Sequence, residues 1–298
     1  MKLLLQREGV DPNKPDKNAQ TPLSHAARGG HEGVVKMLLE QEGVDPNKPD
    51  NSARTPLSHA SGCWNYCVTA EGCVTAEEVV KLLLERKEVH PDHPGNNGRT
   101  PLLYAARYQN GSATAEGVVK SLLERNEVRS DQPDKKGRTP LSHAAEAGSE
   151  KAIKILLGRE EVDPNMSDDN GRTPLSYAAG YRNGAATAER VVKLLLELKA
   201  AKSDQSDKKG RTPLSYAAGA GNWGAVKILF GREGVDPDKP DENGRTPLLY
   251  AAGYQNGAPT AERVAKLLLE LQEVKSDQPD EKGRTLLSHA ARAGNREW

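Results

Sequence analysis

Ser and His stand side by side four times in this chain of 298 residues, at Ser24-His25, Ser58-His59, Ser142-His143 and Ser288-His289. A hydroxyl nucleophile next to an imidazole base is the minimal apparatus of acyl transfer. Neighbouring residues on a helix project about 100° apart, however, so the two side chains do not face each other. Tyr fills the His slot at Tyr104, Tyr177, Tyr216 and Tyr250, which marks a packing position. No catalytic residue is assigned, and the chain is read as a non-enzyme.

His59, Cys63, Cys67 and Cys73 supply the ligand types of a zinc site. Their spacing fits no common zinc pattern, and Cys67-Val-Thr-Ala-Glu-Gly followed by Cys73-Val-Thr-Ala-Glu-Glu is one cysteine copied by a tandem duplication. Reduced thiols are expected, and a metal-binding module is the least favoured reading. Lys135-Lys-Gly-Arg and Lys208-Lys-Gly-Arg are small basic tips, each following an Asp (Asp134, Asp207). Lys plus Arg and Asp plus Glu number 42 each, a formal charge of zero, which disfavours nucleic acid and anionic membrane as partners. No Gly-rich phosphate loop stands out, so no cofactor is expected.

One feature points to recognition. Tyr-x-Asn-Gly recurs at Tyr108-Gln-Asn110-Gly, Tyr181-Arg182-Asn183-Gly and Tyr254-Gln-Asn256-Gly, with Cys63-Trp64-Asn65-Tyr66 in the equivalent place. Tyr, Trp and Arg dominate interface hot spots, so Trp64, Tyr108, Asn110, Tyr181, Arg182, Asn183, Tyr254 and Asn256 are the candidate partner contacts. The competing reading has each Tyr pack over its turn while Asn-Gly ends the helix.

These residues are positioned by a repeating unit. Thr-Pro-Leu opens at Thr21, Thr55, Thr100, Thr139, Thr173, Thr212 and Thr246, and Thr285-Leu-Leu continues the series. Thr suits the N-cap and Pro the first helical position, where a missing N–H costs nothing. A second helix follows, clearest at Val34-Val-Lys-Met-Leu-Leu and Val191-Val-Lys-Leu-Leu-Leu, whose broad apolar stripe suits a helix covered from several sides. Then come Val-Asp-Pro-Asn-Lys-Pro-Asp or similar and an Asn-Gly or Lys-Gly turn, read as a projecting finger. Starts are spaced 34, 45, 39, 34, 39, 34 and 39 residues apart, and Thr100, Thr173 and Thr246 lie 73 apart, so a long unit plus a short one is the duplicated block. The extra length is expected between the two helices, with Thr114, Thr187 or Thr260 as N-cap of the second.

Helix, turn, helix and finger opening on Thr-Pro-Leu resembles the ankyrin repeat, and the Asp-Pro-Asn-Lys-Pro-Asp finger resembles a variant found in large fungal ankyrin arrays. The usual His after Thr-Pro-Leu is Ser (Ser24, Ser58, Ser142, Ser176, Ser215, Ser288) or Leu (Leu103, Leu249) here, so its polar bonding is altered. The resemblance implies an all-α, ankyrin-type α-solenoid of stacked helix-turn-helix units with projecting finger loops. It implies one array over 1–298: a partial repeat at 1–14, repeats opening near 16, 50, 95, 134, 168, 207 and 241, and a truncated repeat at 280–298. It further implies a concave face, built from first-helix ends and fingertips, that binds another protein.

Lys2 to Asp16 matches Lys36 to Asp50, so the chain begins inside a second helix, and it stops after one helix near Trp298. Neither end carries a polar capping repeat, which suggests the recognition array of a larger regulatory protein, or self-association through uncapped ends. The apolar run at Met1-Lys-Leu-Leu-Leu ends at Gln6, short of a secretory segment, and an intracellular, cytoplasmic protein is expected.

Overall fold

The computed structural model describes residues 2–7, 9–62, 70–107, 113–197, 201–253, 259–270, 275 and 278–294. Among them the regular structure is helical throughout. Trp64, Tyr108, Asn110, Tyr254 and Asn256 lie outside the described residues, as do Cys63 and Cys67.

The chain forms two compact units, Met1–Pro140 with Ile155–Val162, and Leu141–Lys154 with Asp163–Trp298. The first contains α1 (Lys2–Leu5), α2 (Pro22–Arg28), α3 (Glu32–Leu39), α4 (Pro56–Ser61), α5 (Ala70–Leu84), α6 (Pro101–Ala106) and α7 (Ala113–Leu123). Next come α8 (Pro140–Ala147) and α9 (Glu150–Leu157), the repeat through which the division runs. The second unit continues with α10 (Pro174–Ala179), α11 (Ala185–Leu196), α12 (Pro213–Ala220), α13 (Trp223–Phe230), α14 (Pro247–Ala252), α15 (Pro259–Glu270) and α16 (Leu286–Ala293). Within each unit a first helix packs on its own second helix and on the next first helix, as α4 does on α5 and α6, and α12 on α13 and α14.

The first helices start as their sequence dictates. The hydroxyls of Thr21, Thr55, Thr100, Thr173, Thr212, Thr246 and Thr285 each accept the N–H three residues on. Where Ser follows Leu, its own hydroxyl joins that of the Thr, at 3.2 Å for Thr55–Ser58 and 3.1 Å for Thr173–Ser176. At Leu103 and Leu249 that second bond has no donor and the N–H contact lengthens to 3.4 Å. The Ala pairs are fully enclosed: Ala105, Ala106, Ala178, Ala179, Ala217, Ala218, Ala251 and Ala252 expose 0%. Val79, Val80 and Leu83, or Val191, Val192 and Leu195, close the layer from the second helix. Side chains of neighbouring repeats complete each layer of the core.

Two expectations about the long repeats are corrected. The added residues do not all lie between the helices: α11 has 12 residues where α9 and α13 have 8, and the tandem duplication runs into the 15-residue α5. Ala-Thr-Ala-Glu is a strong helix-forming run and is absorbed as helix. Nor does Thr187 cap its helix; the side chains of Thr114 and Thr260 lie outside the described residues. The second helices begin at Ala113, Ala185 and Pro259, and Gly184, at φ 155°, precedes α11 without any side-chain cap. Thr187 is buried inside the first turn, where its hydroxyl accepts from Arg190 at 3.3 Å.

Candidate partner-binding face

All fingers but the one at Gly95 are built around a carboxylate. Asp241 pairs its backbone N–H with the Arg245 carbonyl at 3.0 Å, and its own carbonyl accepts from Gly244 at 2.9 Å. Its Oδ1 accepts the N–H groups of Asn243 and Arg245, at 2.9 and 2.8 Å. Oδ2 takes the Arg245 guanidinium at 3.2 Å and the Tyr250 hydroxyl at 2.6 Å. The same set recurs at Asp207 with Arg211 and Tyr216, and at Asp50 and Asp280 with Arg54 and His59, or Arg284 and His289. All four of these carboxylates are at most 6% exposed.

Burial alone would raise such carboxylates. The hydrogen bonds from Tyr, Arg and backbone outweigh it and hold Asp50, Asp207, Asp241 and Asp280 below the usual range. Burial, then the bond to Asp, pushes the Tyr216 and Tyr250 hydroxyls above the ordinary tyrosine value. His59 is driven the other way, down to about 4, first by burial and then by the Arg54 charge, with Asp50 opposing.

The slot read as packing is therefore a hydrogen-bond anchor that ties the first helix to the finger nine residues earlier. The signal was present in the sequence as Asp, then Arg four residues on, then His or Tyr nine residues on. Two repeats depart from it. After Asp16 the Arg position is Gln20, which gives Asp16 its backbone N–H at 2.9 Å while His25 keeps the side-chain bond at 3.0 Å. In the other, Gly95 takes the Asp position, the turn keeps its backbone bonds, and Arg99 approaches Asp134 of the next finger at 3.6 Å.

Three ladders link one repeat to the next inside each unit. Fingertips share one backbone bond: Asn51 to Asn18, Asn96 to Ser52 and Lys135 to Asn97 in the first unit, and Lys208 to Asn170, Glu242 to Lys209 and Glu281 to Asn243 in the second, all between 2.8 and 3.0 Å. In the outer loop Asn13 spans to Gly43 and Asp45, and Asn47 to Glu88 and His90. Arg86, Arg125 and Arg159 reach back to the carbonyls of Leu39, Leu84 and Leu123, and Arg232 to that of Leu196, where a cation suits a helix C-terminus. In the second unit Arg guanidiniums also stack on the Tyr rings: Arg172 lies 4.0 Å from the Tyr177 centroid and 4.6 Å from that of Tyr216, and Arg245 lies 4.8 Å from that of Tyr250.

Of the recurring Tyr-x-Asn-Gly turns, the described one is 181–184. Tyr181 is 6% exposed, and a side chain on Gly148 would meet its ring at 3.1 Å. Asn222 holds this turn from the next repeat, its amide donating to the carbonyls of Ala179 and Tyr181, both at 2.7 Å. Arg182 and Asn183 are exposed. The turn thus has a buried aromatic root and a polar outer edge. His59, one of the zinc candidates, is engaged with Asp50 at 3.1 Å. Among the described residues no three His, Cys, Asp or Glu side chains come together as metal ligands. None of the described helices is long and apolar enough to cross a membrane.

Capped helix pairs, finger turns pinned to them, and nearest-neighbour ladders define a tandem helical-repeat protein. A family model described as ankyrin repeats (3 copies) matches residues 1–71, 111–202, 150–241, 183–271 and 220–298, and the chain belongs to the ankyrin repeat family. Its fold class is the ankyrin-type helical solenoid. Ankyrin repeats are in general protein–protein interaction modules and are typically non-enzymatic. Comparison with curated proteins found no match.

Proposed function

We propose that this chain is a non-enzymatic scaffold that binds another protein through the face made by its fingertips and first-helix ends. The repeats act as one array, with neither nucleic acid nor membrane as its target, in keeping with the balanced charge. One observation carries the reading. Fingertip backbones are fixed by the Asp-centred turns and by bonds to the neighbouring tips, while Lys135, Lys136, Asn170, Lys208, Lys209, Glu242 and Asn243 stay exposed. Side chains presented on an immobilised backbone lose little entropy on binding. The Tyr-x-Asn-Gly turns contribute through outward residues such as Arg182 and Asn183, with Tyr181 fixing their position.

Affinity capture from a lysate tests this. A variant with Lys135, Lys136, Lys208 and Lys209 changed to Glu is expected to lose partners, whereas Lys36, Lys154 and Lys193 changed to Glu, on the second helices, leaves capture intact. Equal loss from both variants would overturn the reading.

A second reading has its own observation. Leu3 and Leu4 of α1 are 81% and 55% exposed, and Leu269 of α15 and Leu287 of α16 are 44% and 73% exposed. Large apolar side chains left uncovered suit stacking between copies. Sedimentation equilibrium decides it: mass that rises with concentration supports self-association, and a constant monomer mass ends it.

A further inference from the structure

Within the second unit, Arg182, Arg245, Tyr250, Arg284, His289 and Arg292 line a cleft of about 380 Å³. Glycines open it. A Cβ on Gly219 would touch the Tyr250 ring at 3.4 Å, and one on Gly253 would lie 3.7 Å from His289 Nδ1. The four guanidiniums are not equivalent. Arg245 and Arg284 are held by Asp241 and Asp280 at 3.2 and 2.7 Å, so their charge is largely answered from behind. Arg182 and Arg292 are exposed and form no ion pair among the described residues. Among the described residues no carboxylate lines the cleft itself. It therefore carries a local excess of two positive charges on a chain whose formal charge is zero.

We infer that this cleft takes an acidic, Asp- or Glu-rich segment of the partner protein, an assignment that rests on the binding-face reading above. A guanidinium presents its N–H donors in a planar fork that matches a carboxylate, and Arg182 and Arg292 are the two forks with that capacity unused. Arg245 and Arg284 are already oriented by their aspartates and offer fixed N–H edges. The Tyr250 ring and Leu249 give the aliphatic part of a Glu side chain an apolar wall. Nucleic acid is disfavoured because its binding needs a basic excess over an extended footprint, and the formal charge of this chain is zero. A cavity of this size admits a few side chains.

The test uses the full chain and a fluorescently labelled oligoglutamate peptide, followed by anisotropy at low and at physiological salt. Oligoglutamine and single-stranded DNA of equal length are the comparisons. The inference expects oligoglutamate to bind and oligoglutamine not to, with binding weaker at higher salt. Arg182→Glu with Arg292→Glu is expected to weaken it about tenfold or more. Neither arginine has a described ion pair, so this variant should fold, and circular dichroism checks that it does. Lys154→Glu with Lys193→Glu on the second helices should leave binding unchanged. Equal binding of oligoglutamine, indifference to the Arg182/Arg292 variant, or equally tight DNA binding would each overturn the inference. A chain that ignores oligoglutamate while its lysate capture still depends on the fingertips loses the acidic specificity alone. If capture ignores the fingertips too, the binding-face reading falls with it.

Discussion

The hydroxyl of Tyr250 donates to Asp241 Oδ2 at 2.6 Å, joining a first helix to the finger that precedes it. Asp241 is buried, and the bond is charge-assisted, so it is among the stronger single contacts of its repeat. Tyr250→Phe keeps the ring against Arg245 and removes only the donor. The expected cost is about 1–2 kcal/mol in urea unfolding. Asp241→Ala should cost more, since it also strands the N–H groups of Asn243 and Arg245. Equal stability of both variants with the parent would show that the finger is not anchored this way.

His59 gives the first unit a pH dependence. Its folded value of about 4 lies below the unbound value of 6.5, so between these limits the unfolded chain binds the extra proton. Stability is complete above pH 6.5 and is lost as pH falls toward 4, by up to about 3 kcal/mol. Tyr fills the same slot, bonded to its Asp, at Tyr216 and Tyr250, so His59→Tyr should fold and flatten this part of the curve. Denaturation series across that range, for parent and variant, provide the check.

Ala53 sits at φ 56°, in the left-handed region, at a fingertip position that is Gly in Gly98, Gly171, Gly210, Gly244 and Gly283. A Cβ there is unfavourable by about 1 kcal/mol. Ala53→Gly should therefore raise the midpoint of thermal unfolding, and Ala19→Gly, at φ 60°, should act alike. A lower midpoint would mean that added unfolded-state freedom outweighs the relieved strain.

Asn222 is 3% exposed and satisfies two carbonyls of the preceding repeat, those of Ala179 and Tyr181. Asn222→Ala should destabilise by about 2 kcal/mol, because both acceptors lose their donor in a dry site. Amide exchange through 180–184 should quicken more than exchange in α13. Uniform protection would place the turn's support elsewhere.

Much of this architecture is legible in the sequence because it is local. Thr before Pro-Leu caps a helix whatever surrounds it, and Gly at a fingertip answers a backbone requirement of its own turn. What was misread depends on distant partners. Thr187 has the composition of a cap, yet burial beside Gly148 and a bond from Arg190 commit it inside the helix. The His or Tyr of the first helix pairs with an Asp nine residues back, which adjacent-residue geometry does not reveal. Arg125 finds its acceptor at Leu84, one repeat away, and nothing within a single repeat announces that. The basic cleft is the extreme case, since Arg182 and Arg292, three repeats apart, line one cleft only once the repeats between them stack.

Cross-linking mass spectrometry of the captured complex tests the central claim most directly, because exposed lysines mark both sides of the chain. Lys17, Lys135, Lys136, Lys208, Lys209 and Lys282 stand on the fingertips, and Lys36, Lys154 and Lys193 on the second helices. A partner seated on the finger and first-helix face will cross-link to the first group and leave the second unmodified by it. Cross-links confined to Lys36, Lys154 and Lys193 would contradict the account.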